Sequence, residues 1–245
     1  MTLYAIGDVH GHPDKLDRAL RLVETDGGKD ADITFVGDFI DRGPDARAVI
    51  ELLMEGLAQG RNWTCLKGNH DRMMEWFMEP VPRHDPHLLV GYHWFHERIG
   101  GVTTMASYGV DVGERRRQLE VHADALEAVP SAHIEFLQSL EISREVGGYL
   151  FVHAGIRPGV PLAEQTERDM LWIRDGFIDM DDKHPWLVVH GHTPIETPTL
   201  YGNRLNTDGG AAFGRELTPL ALEEGRVYAL TDQGRQELTP DGSRA

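Results

Sequence analysis

The chain has 245 residues, 40 % hydrophobic and 26 % charged, with a single Cys. That length can bury a substantial core unaided, one Cys excludes a disulfide framework and every Cys-rich zinc module, and no apolar run reaches the ~18 residues of a membrane span. Forty acidic residues against 24 basic give a formal charge of −16, the reverse of the basic footprint that a nucleic-acid polymer requires.

Short apolar runs alternate with amphipathic helical stretches, the pattern of α/β architecture. Leu3 to Ile6 reads as a strand and Pro13 to Glu24 as a helix, with Leu16, Ala19, Leu20 and Val23 on one face. A strand over Ile33 to Val36 precedes a helix from Pro44 to about Ala58, and a third over Trp63 to Leu66 precedes one from His70 to Met78. Pro80, Pro82 and Pro86 open an irregular segment, 80–146, with a short aromatic helix predicted over Tyr92 to Ile99 and a polar one over Glu114 to Ala128. A hairpin through Gly147-Gly148 leads into a strand over Tyr149 to Val152, followed by one over Trp186 to Val189. Short strands near Arg204–Asn206, Leu217–Leu222 and Arg226–Leu230 close the chain before a polar tail. The N-terminal stretch MTLYAIGDVHGHPDK lacks a charged region followed by a long apolar one, so a soluble cytoplasmic protein is expected.

The informative feature is how the strands end. They run into Gly7-Asp8-Val9-His10-Gly11, Gly37-Asp38-Phe39-Ile40-Asp41-Arg42-Gly43, Gly68-Asn69-His70-Asp71, His153-Ala154-Gly155 and His190-Gly191-His192. Ligands of open α/β sheets collect beyond the carboxyl ends of the strands, so five distant segments deliver oxygen and imidazole donors to one rim. Taken singly, each piece has an ordinary explanation: Gly-Asp is turn chemistry, and Asn69 suits a helix N-cap. Five coincidences of metal-compatible types favour a site. Carboxylate, amide and imidazole donors without thiolate suit Mn²⁺, Fe or Zn²⁺ better than a structural zinc. A carboxylate shared by two cations suits hydrolysis at phosphorus by a metal-bridging hydroxide. Arg42 offers a planar fork for phosphate oxygens, and His70 can serve as general acid if a carboxylate such as Asp41 orients it.

In this order the motifs resemble those of the calcineurin-like metallophosphoesterases, from Leu3 to about Gly210 with an interruption at 80–146. Asp-Arg-Gly at 41–43 resembles the branch holding bacterial phosphoprotein phosphatases of the Ser/Thr type and diadenosine tetraphosphatases. The resemblance implies one domain over 1–245, an α/β sandwich of mixed sheets flanked by helices with an inserted helical cap. It implies two divalent ions, Mn²⁺ foremost: Asp8 and His10 hold the first, Asp38 bridges, and Asn69, His153 and His192 complete the second. It also implies that His70 protonates the leaving group with Asp41 behind it, and that Arg42, Asn69, His70 and Arg174 bind the phosphate. His190 takes a supporting role and Asp208 a position near the site. Asp71 and Lys67 depart from the Glu and Arg of eukaryotic protein phosphatases, which weakens the protein-substrate assignment but not the metal chemistry.

His84, His87, His93 and His96 read as a solvated part of the cap, with Trp94 and Phe95 facing substrate, and Arg115 to Arg117 as a solvated helix face. The expected function is a phosphomonoesterase of the protein Ser/Thr phosphatase kind, acting on a phosphoprotein or small phosphoester. Diadenosine tetraphosphatase or phosphodiesterase activity at the same site is the alternative, and a non-catalytic metal- or phosphate-binding protein is the reading from another class.

Overall fold

In the computed structural model, which describes residues 1–113 and 115–240, the elements in chain order are β1 (Leu3–Ile6), α1 (Pro13–Gly27), β2 (Asp32–Phe35), α2 (Ala46–Ala58), β3 (Trp63–Cys65), α3 (Asn69–Phe77), α4 (Gly101–Ser107), α5 (Gln118–Ala128), α6 (Ser131–Ser139), β4 (Ser143–Val146), β5 (Tyr149–Val152), α7 (Glu167–Trp172), β6 (Leu187–His190), β7 (Thr199–Leu200), β8 (Arg204–Asn206), β9 (Leu220–Glu223), β10 (Arg226–Thr231) and β11 (Gly234–Leu238). They form two mixed sheets, ordered β11-β10-β9-β1-β2-β3 and β4-β5-β6-β8-β7. The β1–β2–β3 pairs are parallel, as are β5–β6–β8.

Strand alternation builds the layers. Leu3 and Ala5 of β1 meet Tyr149 and Phe151 of β5, Val189 of β6 and Leu222 of β9 in a core between the sheets. The opposite residues, Tyr4 and Ile6, join Leu16 and Val23 of α1, Val49 and Leu53 of α2 and Phe77 of α3 in an outer core. Leu150 and Val152 face the other way, against Met170 and Phe177. The molecule is an α/β sandwich in which β1 and β5 are buried on both faces, and this explains why they read as uninterrupted apolar runs.

The helical segment after α3 does not stand apart from this core. Met105, Tyr108, Val121, Ala125, Phe136 and Leu137 belong to the same buried cluster as α1, α2 and α3.

Local differences from the expected elements have physical reasons. Asp45, whose carboxylate accepts a hydrogen bond from Ala48 N at 2.9 Å, caps α2, so the helix starts after Pro44 rather than on it. Tyr92 to Ile99 is a chain of turns, not a helix: His96 N donates to His93 O and Ile99 N to His96 O, while Trp94 turns inward and Gly100 takes the left-handed conformation. The polar helix begins at Gln118, and Glu114 lies outside the described residues. Residues 234–238, read as polar tail, pair with β10 as an edge strand whose ladder is satisfied on one side only.

Candidate metal centre and active site

The parallel registers bring Ile6, Phe35 and Cys65 level on one sheet, and Phe151 and Val189 on the other. The loops that follow therefore meet at one edge of the sandwich. They are stitched by backbone: Val9 N and His10 N donate to Asp38 O, Gly11 N to Phe39 O, and Gly191 N to His153 O. Among the described residues six non-glycines have positive φ, and five of them are His10, Asp38, Asp41, Arg42 and His192. That conformation costs of order 1–3 kcal/mol per residue and persists where surroundings enforce it, typically at functional sites. Glycine makes the remaining room: a Cβ at Gly68 would collide with Asp38 Oδ1, and one at Gly191 with Asp8 Oδ1.

Asp8, His10, Asp38, Asn69, His153 and His192 are all buried and all converge there. Asp38 is the hub. Its Oδ2 lies 3.6 Å from His10 Nε2 and 3.9 Å from His70 Nε2, and its Oδ1 lies 3.5 Å from His153 Nε2. His153 Nε2 is also 2.9 Å from Asn69 Oδ1. Two groups of ligand-capable atoms result, His10–Asp38–His70 and Asp38–His153–His192, with Asp38 in both. Asp8, expected with His10, is 4.0 Å from its Nε2, and its carboxylate accepts from His192 N at 3.1 Å.

The donor set fits metal ions. His10 Nδ1 sits 2.8 Å from Ile40 O and His153 Nδ1 2.9 Å from Val36 O, so each ring donates outward and turns its Nε2 lone pair inward, the arrangement of metal-binding imidazoles. His192 Nε2 is buried without a hydrogen-bond partner. Burial, with Asp208 and Asp38 close by, raises Asp8 well above the usual carboxylate range. Burial, with Arg42 and His70 alongside His10 and with His153 and Arg174 alongside His192, lowers both imidazoles well below theirs. A cation reverses that penalty, since it favours carboxylates ionised and imidazoles neutral.

Beside this hub is a second unit. His70 Nδ1 lies 2.6 Å from Asp41 Oδ2, and Asp41 is held from behind by Thr104 Oγ1 at 2.7 Å and by the indole N–H of Trp94 at 2.9 Å. Burial pushes Asp41 up to about 7, against the hydrogen bonds from Thr104 and Trp94 and the charge of Arg42. Burial likewise pushes His70 down to about 3, aided by Arg42 and opposed by Asp38. Burial thus disfavours charge on both, and their 2.6 Å contact is a path for a proton between them. Arg42 reaches across the site, with Nη1 2.6 Å from His10 Nε2 and Nη2 3.0 Å from His70 Nε2. Arg174 follows α7 and donates to His192 O at 3.1 Å. A cavity of about 750 Å³ opens over Asp38, Arg42, Asn69, His70, Arg174 and His192.

Comparison with known proteins then decides the family: the calcineurin-like phosphoesterase model matches residues 1–228. The chain belongs to the calcineurin-like phosphoesterases. This calcineurin-like phosphoesterase is 25 % identical, over 78 % of its length and 76 % of the relative's, to a protein of Anoxybacillus flavithermus named bis(5'-nucleosyl)-tetraphosphatase PrpE (asymmetrical). It is 27 % identical to serine/threonine-protein phosphatase 1 of Salmonella typhimurium, over 88 % of its own length and 89 % of that chain. Its fold is similar to that of a putative diadenosine tetraphosphatase, with a TM-score of 0.62 at 18 % identity over 93 % and 92 % of the two chains. It is also similar to the cold-active protein-tyrosine phosphatase of a Shewanella species, with a TM-score of 0.64 at 18 % identity over 97 % and 80 %. The protein is thus a metal-dependent phosphoesterase, and among its described residues no helix is long and apolar enough to cross a membrane.

Several of the phosphoesterase's residues lie elsewhere than the sequence suggested. Trp94, expected to face substrate, is buried against Phe77 with ring centroids 5.1 Å apart and serves Asp41 instead; Phe95 packs beside it, outside the cavity over the metal centre. Lys67 is spent in an ion pair with Glu75 at 2.6 Å. His87, read as solvated, has a carboxylate partner: its Nδ1 is 2.9 Å from Asp85 Oδ1. His190 is buried against Phe177 and lies outside both ligand groups. Asp208 is buried near Asp8 and Asp38, its pKa pushed up to about 6 by burial, and accepts from Gly210 N.

Asp71, noted only as a departure, accepts from the backbone N–H of Asp38, Phe39 and Gly68 at 2.8 to 3.0 Å, and so fixes the loop carrying Asp38 to the start of α3. The signal available was its place in the first turn of a helix. Thr104 had none, being 63 residues from Asp41.

Replacing Trp94 with Phe keeps most of the packing and removes one donor to Asp41. Loss of a hydrogen bond to a charged group, ~1.5 kcal/mol, is expected to lower kcat for an alkyl phosphate about tenfold with bound metal unchanged. Steady-state kinetics with metal counting checks this.

Proposed function

We propose that the chain hydrolyses phosphoric esters at a two-metal centre in which Asp8 and His10 hold one ion, Asp38 bridges, and Asn69, His153 and His192 hold the other. One observation supports this above all: Asp38 is shared by both groups of buried ligand atoms. Divalent ions there, Mn²⁺ in our reading, supply Lewis-acid activation of water and neutralise charge developing on phosphorus oxygens. Arg42 and Arg174 clamp the phosphate, and Asn69 and His70 contact it. As water adds to phosphorus and the bond to the leaving oxygen breaks, His70 Nε2 passes a proton to that oxygen, and the proton given up by the water leaves with the phosphate product or restores His70. Arrival of the phosphate anion beside His70 favours its imidazolium form, and the proton comes from the unit shared with Asp41, 2.6 Å away. Residues 80–146 act as a cap: His87, Leu88, Tyr92 and Arg98 of this segment form one wall of the cavity.

Similarity to serine/threonine-protein phosphatase 1 supports a phosphomonoester of the protein Ser/Thr kind, while the Asp-Arg-Gly motif fits both branches. A second reading, a dinucleoside polyphosphate, draws support from the cavity: about 750 Å³ walled by His87, Tyr92 and Trp172 is a small-molecule pocket with planar side chains. The deciding experiment is turnover of a phosphothreonine peptide, diadenosine tetraphosphate and a phosphodiester by protein loaded with Mn²⁺, bound metal being counted. Hydrolysis of none by protein carrying two ions per chain overturns the proposal.

A further inference from the structure

Four arginines line the cavity, two more than the phosphate clamp uses. Arg42 and Arg174 each touch residues of the metal centre, Arg42 through His10 and His70 and Arg174 through His192 O. Two more arginines line the same cavity, Arg98 from the cap side and Arg168 from α7. Both are exposed, and among the described residues neither guanidinium has a hydrogen bond, ion pair or aromatic partner. Arg115 and Arg117 also lack an ion-pair partner among the described residues, but they lie outside this cavity, whereas Arg98 and Arg168 line it. Other arginines are matched to carboxylates, as Arg18 is to Asp232, Arg72 to Asp85, Arg144 to Asp32 and Arg235 to Asp26. Two further carboxylates face the cavity: Asp169 is ion-paired with Arg157, and Asp175 adjoins Arg174. Arg98 lies two residues before Gly100, whose carbonyl accepts from Arg42 N, so its anchor is tied to the phosphate clamp.

The wall between them is held rigidly. Asp85, buried, takes both Arg72 Nε and Nη2, the indole N–H of Trp172 at 3.2 Å and His87 Nδ1 at 2.9 Å. The Trp172 and His87 rings are 5.9 Å apart at 34°. Held at that tilt, Trp172 and His87 offer aromatic contact to a flat ring.

We propose that Arg98 and Arg168 form a second anion subsite that grips a phosphoryl group other than the one being hydrolysed, so that the pocket selects a small polyphosphorylated molecule carrying a planar ring. This rests on the second reading above. A guanidinium without a partner loses no ion pair when it engages phosphate, and its fork matches the phosphoryl oxygens. The scissile phosphate stays with Arg42, Arg174 and the metals.

The test compares wild type with Arg98→Gln, Arg168→Gln and the double variant, all in Mn²⁺ held in excess of ligand. For diadenosine tetraphosphate, KM is expected to rise about tenfold per substitution, while p-nitrophenyl phosphate, with one phosphoryl group, keeps its KM and kcat within twofold. In parallel, titration calorimetry of tripolyphosphate and of orthophosphate reads binding without turnover: only tripolyphosphate should weaken, and the wild-type preference should shrink with salt. Equal losses on both substrates, no loss, or a loss confined to a phosphothreonine peptide overturns the subsite. Failure of the wild type to hydrolyse any ester, with tripolyphosphate binding still lost in the double variant, overturns the catalytic reading and leaves the subsite standing.

Discussion

Asp38→Ala is expected to strip the centre of metal and take turnover with it. No other side chain belongs to both ligand groups, and its two oxygens face opposite ways, Oδ2 toward His10 and Oδ1 toward His153. Removal leaves one prospective ion with Asp8 and His10 and the other with Asn69, His153 and His192, without the anionic bridge that holds the pair together. Metal stabilisation of a phosphoryl transition state is worth several kcal/mol, so a loss of ~10³-fold or more in kcat/KM follows. The folded frame should survive, because Asp71 holds the turn at 37–39 through the backbone N–H groups of residues 38 and 39 and ties it to Gly68 N, and the substitution removes none of these. The check is metal content by plasma mass spectrometry beside kcat/KM and circular dichroism. A folded Asp38→Ala protein that retains two ions would mean the ligands are arranged otherwise.

His70→Ala should behave differently. His70 stands within reach of the His10–Asp38 group, so its ring has two conceivable duties, ligand or acid. Its Nδ1 is engaged by Asp41, while its Nε2, which accepts from Arg42, borders the cavity, where the imidazolium form would present its proton to a leaving group. The acid role predicts a fall in kcat of ~10²–10⁴-fold for alkyl phosphates with metal retained. The fall should shrink toward none for p-nitrophenyl phosphate, whose leaving group needs no proton. Equal losses on both substrates, with a metal ion missing, would make His70 a ligand instead.

Much of this was legible before any coordinates. The apolar runs of β1 and β5 announced strands covered on both faces, and glycines opened the motifs at the strand ends because backbone crowds Gly7 and Gly37 and a carboxylate crowds Gly68 and Gly191. What escaped was set by contacts between residues far apart in sequence. Trp94 looked like a substrate-facing ring because an aromatic in a polar, proline-broken segment has no local reason to be buried; its reason is Asp41, 53 residues away. Asp71 looked like a variant of a motif, and its three backbone donors appear only when β2 and α3 meet.

The sequence by itself determined the alternating strands and helices, the glycines that permit tight turns and the chemical kinds of donor placed after each strand, because periodicity, turn chemistry and ligand softness are local properties. Tertiary structure alone decided which donors share one point, why burial raises the Asp41 carboxyl and which arginines have no partner. Those follow from burial and from distances across the sandwich, and neither is written in any stretch of neighbouring residues.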